Sequence, residues 1–115
     1  MRLNDFINKL LEQPEAVNFS ETMGIIESLY SFTPSTFANG ELENSAGENN
    51  GSCKIFAFGQ LNSLSEQQTL ACFGQYYRND VLNHPEAEDH QNIRNFMKSG
   101  WAGIKFDKPA LTPLS

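Results

Sequence analysis

Between Gly51 and Gly103 the chain crowds its core and its chemistry into one stretch. Both cysteines, both histidines, the single tryptophan and two of the three tyrosines fall there. Whatever fold forms must be built around it. Ser65 and Gln68 make a capping-box pair, and Leu70, Phe73, Tyr77 and Val81 then recur on one stripe that Ala71, Cys72 and Tyr76 widen. The spacing predicts a central helix from Ser65 to about Leu82, covered by several partners, with Gln68, Gln75 and Asn79 in water. Asn83-His84-Pro85 ends it. Upstream, Ser52 suits the N-cap of a buried helix reaching Leu61, although Phe56 and Phe58 also alternate as in a strand. Downstream, Asp89 suits the cap of a last helix with Ile93, Phe96 and Met97 inward and Gly100 as its stop.

The flanks add shorter elements. Leu3, Phe6, Ile7, Leu10 and Leu11 predict a first helix that Pro14 closes. A second helix, capped by Ser20, turns Met23, Ile26, Leu29 and Tyr30 inward and stops before Thr33-Pro34. Phe32 to Phe37 reads as a short strand, and Asn39-Gly40 as a turn. Residues 39–51 carry no periodic apolar pattern and read as a long polar loop. Trp101, Ile104 and Phe106 predict a terminal strand beside Phe32–Phe37, with Trp101 largely buried, and residues 109–115 a loose tail. Residues 1–115 thus form a single α+β domain, dominated by four or five helices with a small sheet of short strands.

Charge narrows the function classes. The net charge is −6, and residues 1–50 carry all of it, with eight acids against Arg2 and Lys9. A basic footprint for nucleic acid is missing. No apolar run approaches the ~20 residues of a membrane span, and Met1 to Asp5 lack the apolar core of a signal peptide. The two cysteines read as separate buried thiols, as befits a reducing cytoplasm. The expected assembly is a monomer or weak dimer.

Three sets of residues can carry chemistry. Gly51-Ser52-Cys53 opening an apolar helix resembles the surroundings of the catalytic cysteine in papain-like proteases. A helix N-terminus lowers a thiol's pKa, and its N–H groups can hold an oxyanion. Cys53 would then be a nucleophile, with His90 or His84 as base and Asp80 or Asp89 as orienter; the competing reading is a small core residue at a tight turn. Secondly, His84, Asp89 and His90 lack any metal-ligand spacing, and the acidic loop does not fit an EF-hand, so neither metal nor cofactor is expected. Thirdly, His90, Arg94 and Lys98 share a helix face and could clamp an acidic partner, or simply be a solvated face.

Several segments resemble the HopJ type III effector family. They are Gly51 to Phe58, Thr69 to Gly74, Tyr76-Tyr77-Arg78, Asp80-Val81-Leu82, His90 to Met97 and Gly100 to Gly103. Phe32-Thr33-Pro34, Phe37, Asn39-Gly40, Asn44, Ala46-Gly47 and Asn49 also fit. Gly59 departs from it, where alanine is more usual. The resemblance implies a small bacterial protein that a type III system could export, with a host protein as partner and no established catalytic residues. Two functions follow: a protein-interaction module, or a small hydrolase or transferase built on Cys53. Candidate binding residues are Asn44, Asn49, Ser52, Tyr76, Arg78 and Arg94, and Cys53, Arg78 and His90 are expected to meet at one site.

Overall fold

In the computed structural model, which describes residues 2–114, the first helix forms where the apolar spacing puts it. Helix α1 (Leu3–Glu12) buries Phe6 and Leu10 and leaves Leu11 in water. Pro14 starts a 3-10 turn, Pro14–Ala16, that folds the chain back. Helix α2 (Phe19–Leu29) is capped by Asn18, whose Oδ1 accepts from the Glu21 N–H at 2.9 Å. Ser20, the expected cap, instead donates its hydroxyl to that same oxygen. The Lys9–Glu21 ion pair, 2.9 Å, ties the two helices together.

Tyr30 does not extend α2, because the chain has already become extended. Strand β1 (Tyr30–Phe32) and strand β2 (Phe37–Asn39) divide the expected Phe32–Phe37 strand at Thr33-Pro34. The expected loop 39–51 is mostly ordered structure. Asn39 closes β2, Gly40-Glu41 turns the chain, and strand β3 (Leu42–Asn44) returns antiparallel with Phe37 opposite Asn44. Only Ser45 to Asn49 remains a loop, tightened where Glu48 Oε1 accepts from the Ser45 N–H at 2.9 Å.

Helix α3 (Asn50–Leu61) buries Cys53 and the run Ile55 to Gly59, and leaves Gln60 and Leu61 exposed. Helix α4 (Glu66–Ala71) starts on the expected capping box, with Ser65 Oγ accepting from the Gln68 N–H at 3.1 Å. It does not run on to Leu82. At Gly74 φ is +61°, and a Cβ there would lie 2.5 Å from the Phe19 backbone nitrogen. The N-terminus of α2 occupies that space, so the helix stops and resumes as a wide π-helical turn, Tyr76–Val81. Gln75, expected in water, accepts from the Phe19 N–H at 3.1 Å.

Helix α5 (Gln91–Ser99) leads into a 3-10 turn, Gly100–Gly103. Its inner face carries Asn92, Ile93 and Phe96, with Arg94 also buried, and this phase moves Met97 to the exposed rim. Strand β4 (Ile104–Phe106) pairs with β2, so the expected pairing with 32–37 is made only at Phe37, opposite Phe106. Strand β5 (Leu111–Pro113) pairs antiparallel with β1. The tail is therefore not loose: Ala110 and Leu111 are buried, and Thr33 donates its N–H to Ala110 O at 2.8 Å. Ser115 and Met1 lie outside the described residues.

The result is one α+β domain with two small antiparallel sheets, ordered β3-β2-β4 and β1-β5. Phe56 sits at its centre, with ring centroids of Phe96 at 5.0 Å, Phe73 at 5.6 Å and Phe37 at 6.0 Å. Trp101 is half-buried rather than largely buried: its indole N–H reaches Leu64 O at 3.0 Å, and one edge stays in water. It lies against Gly59, where a Cβ would approach the indole to 2.8 Å. That contact, not helix propensity, accounts for the glycine within α3.

Two glycine substitutions should move stability in opposite directions. Gly24, exposed in α2, has nothing within 4 Å of a Cβ, so Gly24→Ala should stabilise by roughly 0.5–1 kcal/mol. Gly74→Ala meets both positive φ and backbone, and should cost about 2 kcal/mol or more. Urea denaturation followed by circular dichroism measures both, and a neutral Gly74→Ala would contradict the packing described.

Candidate functional site

Two helices begin at the same place in space, and both begin without a side-chain cap. Asn49, ahead of α3, and His90, ahead of α5, each sit in the left-handed region at φ 52°, ψ 48°. Neither side chain turns back to its helix. Asn49 Nδ2 donates to Asn44 Oδ1 at 2.6 Å. The His90 ring instead reaches out of the helix, with Nε2 at 2.9 Å from Asp80 Oδ2. The first intrahelical bonds are Cys53 N–H to Asn49 O and Arg94 N–H to His90 O. The N–H groups of residues 50–52 and 91–93 precede them, and among the described residues no protein group accepts from these donors.

These open ends line a cleft of about 490 Å³. Gly51 and Ser52 of α3 and Gln91, Asn92 and Ile93 of α5 form one wall, with Asn49, Leu42 and His90 beside them. Phe19, Phe73 and Tyr76 complete it. The Phe19 and Tyr76 rings meet edge to face at 5.0 Å, and Tyr76 lies 5.3 Å from His90 at 33°. Behind Asn92 is a buried amide cluster. Asn44 and Asn92 exchange two hydrogen bonds, 3.0 and 3.1 Å, and Asn39 Nδ2 donates to Asn92 O and Oδ1 at 2.7 and 3.0 Å.

The electrostatics are mixed. Two helix N-termini favour negative charge, each by ~0.3–1 kcal/mol. Two carboxylates stand beside the His90 ring, whose Nε2 lies 2.9 Å from Asp80 and 3.9 Å from Asp89. A hydrogen bond from Arg94 holds the Asp89 carboxyl below the usual carboxylate range, helped by the nearby His90 and Arg94 charges. Because a carboxylate can only accept, His90 Nε2–H is the donor to Asp80 Oδ2.

Four of the sequence candidates, Asn49, Ser52, Tyr76 and His90, share this cleft, and Asn44 lies behind its floor. Cys53, Arg78 and His90 do not meet. The left-handed residue that starts α3 is Asn49, not Ser52, so Cys53 falls in the second turn and faces inward. Its Sγ lies 3.8 Å from Ser35 O, and burial pushes its pKa up, as it does for Cys72. Arg78 donates to Pro14 O at 3.3 Å and lines a separate groove with Leu10 and Leu11. Arg94 is taken by Asp89, whose backbone O and Oδ1 it meets at 2.6 and 2.7 Å. Asp89 therefore does not cap α5. His84 stands exposed beyond the π-helical turn.

Phe19, Gln91 and Asn92 of the cleft were not singled out by sequence. Phe19 reads as one more core residue, and a helical Asn gives no signal that it is buried. Among the described residues no cluster of three His, Cys, Asp or Glu is placed to hold a metal, and no helix is long and apolar enough to cross a membrane.

Fold and cleft together define a small α+β domain with one polar, aromatic-walled hollow at paired helix ends. The chain belongs to the HopJ type III effector protein family, which it matches over residues 3–111. It is also similar to a crystal structure described as unknown function protein VPA0580, with 58% identity and a TM-score of 0.97 over 98% of this chain and 94% of that one. No curated protein matches it.

Two outcomes test the site's geometry. Both thiols should resist a disulfide reagent in the native protein and react fully once unfolded, since both are buried; rapid native labelling of Cys53 would contradict its placement. The lowered Asp89 pKa stabilises the fold above the unfolded carboxylate value, near 4. The contribution fades as pH falls through the lower folded value. Melting temperatures of wild type and Asp89→Asn should therefore differ at pH 6 and converge near pH 2.

Proposed function

We propose that this chain is a protein-interaction module whose contact site is the cleft between the starts of α3 and α5. The observation that supports this reading is the convergence of Ser52, Tyr76, His90 and two sets of open backbone N–H groups on one hollow of about 490 Å³. Aromatic walls supply contact area at low entropic cost, and fixed polar groups supply direction. Family membership makes a host protein the natural partner, with delivery by a type III system. A nucleophilic role for Cys53 finds no support, because its thiol is buried, bonded to Ser35 O and held protonated.

A photo-crosslinking amino acid placed at Gln91, exposed on the cleft rim, should capture a discrete protein from eukaryotic cell extract. The same group at Lys108, which lines a different hollow, should not. His90→Ala and Tyr76→Ala should each reduce capture at least tenfold while keeping a native spectrum. Equal adducts from Gln91 and Lys108 would sink the reading.

A further inference from the structure

We infer that the groove between α1, α4 and the π-helical turn binds a small amphipathic carboxylate, with its head on Arg78 and its hydrocarbon tail along the leucines beside it. This groove is separate from the cleft proposed above as the contact site, and the inference does not depend on that reading.

Arg78 is a cation that the chain leaves unanswered. Among the described residues, the other buried or half-buried Lys and Arg side chains each face a carboxylate. Lys9 meets Glu21, Lys54 meets Glu27 and Arg94 meets Asp89. Arg2, Lys98, Lys105 and Lys108 are exposed, and water serves them. Arg78 is half-buried and makes no ion pair there; its guanidinium gives one N–H to Pro14 O at 3.3 Å. A guanidinium has five such donors and keeps its charge at any working pH. Partial burial weakens its hydration, so an incoming acid is favoured, and a carboxylate matches its planar fork with two oxygens.

The walls beside that head site define the rest of the ligand. Leu10, Leu11, Pro14, Ala71 and Leu82 line the same hollow of about 460 Å³, within the range of small-ligand sites, ~300–1,000 Å³. Leu11 and Leu82 stand 58% and 48% exposed at its lips, apolar surface that an alkyl chain would cover. A compact anion such as phosphate would leave that surface wet, and a neutral hydrocarbon would leave the guanidinium unpaired. Local backbone geometry assembles the two halves. The π-helical bond from Leu82 N–H to Tyr77 O, 3.0 Å, brings residues 77 and 82 into register beside Arg78 on this groove, and such turns recur at functional sites. Glu15, exposed at the rim, is the acid that opposes the head group.

The test titrates octanoate into the full chain at neutral pH, followed in amide-correlation spectra. Saturable shifts should concentrate at residues 10–15, 71 and 77–82. Butanoate, which keeps the head, and octanol, which keeps the tail, should each bind at least tenfold more weakly. Arg78→Gln should lose at least tenfold, Arg78→Lys should lose less, and Glu15→Gln should bind at least as tightly as wild type. Leu11→Glu alters an exposed side chain and leaves the core alone, so it should also lose tenfold and keeps the test decisive if Arg78→Gln unfolds. Equal binding of octanol and octanoate, shifts outside the groove, or unchanged affinity in Arg78→Gln and Leu11→Glu would each overturn the inference. So would groove shifts that follow protein concentration alone, which assign the surface to a second copy of the chain. Tenfold tighter binding of an acetylated dipeptide ending in leucine would overturn it too, in favour of a protein C-terminus.

Discussion

Asn92 is the residue on which the arrangement of the rest depends. Its amide is buried among Asn39 and Asn44, and through them it fixes both strands of the β2–β3 hairpin to α5. Asn49 continues the chain of bonds from Asn44 to the start of α3. Each such bond contributes only ~1 kcal/mol net, but an orphaned buried amide group costs ~1–3 kcal/mol. The cluster therefore specifies position more than it adds stability. Among the described residues, Asn39 Oδ1 has no hydrogen-bond partner. Turning that amide over would sacrifice the two bonds its Nδ2 makes to Asn92, at 2.7 and 3.0 Å, so the observed orientation wins.

The same cluster explains what was hard to read in the sequence. Helices α1 and α2 follow from apolar residues at helical spacing, although Asn18 rather than Ser20 caps α2 and Tyr30 belongs to β1. The hairpin did not follow. Its inward residues include Asn39 and Asn44, so a stretch that reads as polar loop is a pair of strands whose buried side is satisfied by amides instead of hydrocarbon. Pairing of β5 with β1 was hidden for another reason. Pro113 at its end suggests a loose tail, yet a proline at the edge of a two-stranded sheet removes no bond the sheet needs.

Breaks and phases depend on partners, and sequence periodicity cannot see partners. The stripe Leu70, Phe73, Tyr77, Val81 is a fair helical pattern, and only the N-terminus of α2, pressed against Gly74, interrupts it. The site shows the same limit over a distance of one residue. Ser52 and Cys53 are adjacent, but successive helical side chains are ~100° apart, so a start set by Asn49 leaves one at the cleft and buries the other. His90 and Tyr76 were legible as polar and aromatic groups near element ends. Their meeting depends on the π-helical turn, whose wider pitch no local pattern announces.

Charge balance then limits what the cleft can accept. Two helix ends offer ~0.3–1 kcal/mol each to an anion. Asp80 and Asp89, both beside the His90 ring, oppose such an anion, while Arg94 offsets Asp89. What the cleft offers is direction: open donors along one wall, the His90 ring held beside them by Asp80, and aromatic surface between. A site of that kind distinguishes ligands by the order of their donors and acceptors, and gains little from their net charge. Orientation of this sort needs rigid supports, and here they are the amide cluster behind α5, the Asp80–His90 bond and the Tyr76 ring. The left-handed residues at both helix starts cost ~1 kcal/mol or more each, and the packed core around Phe56 supplies the stability that lets the fold carry them.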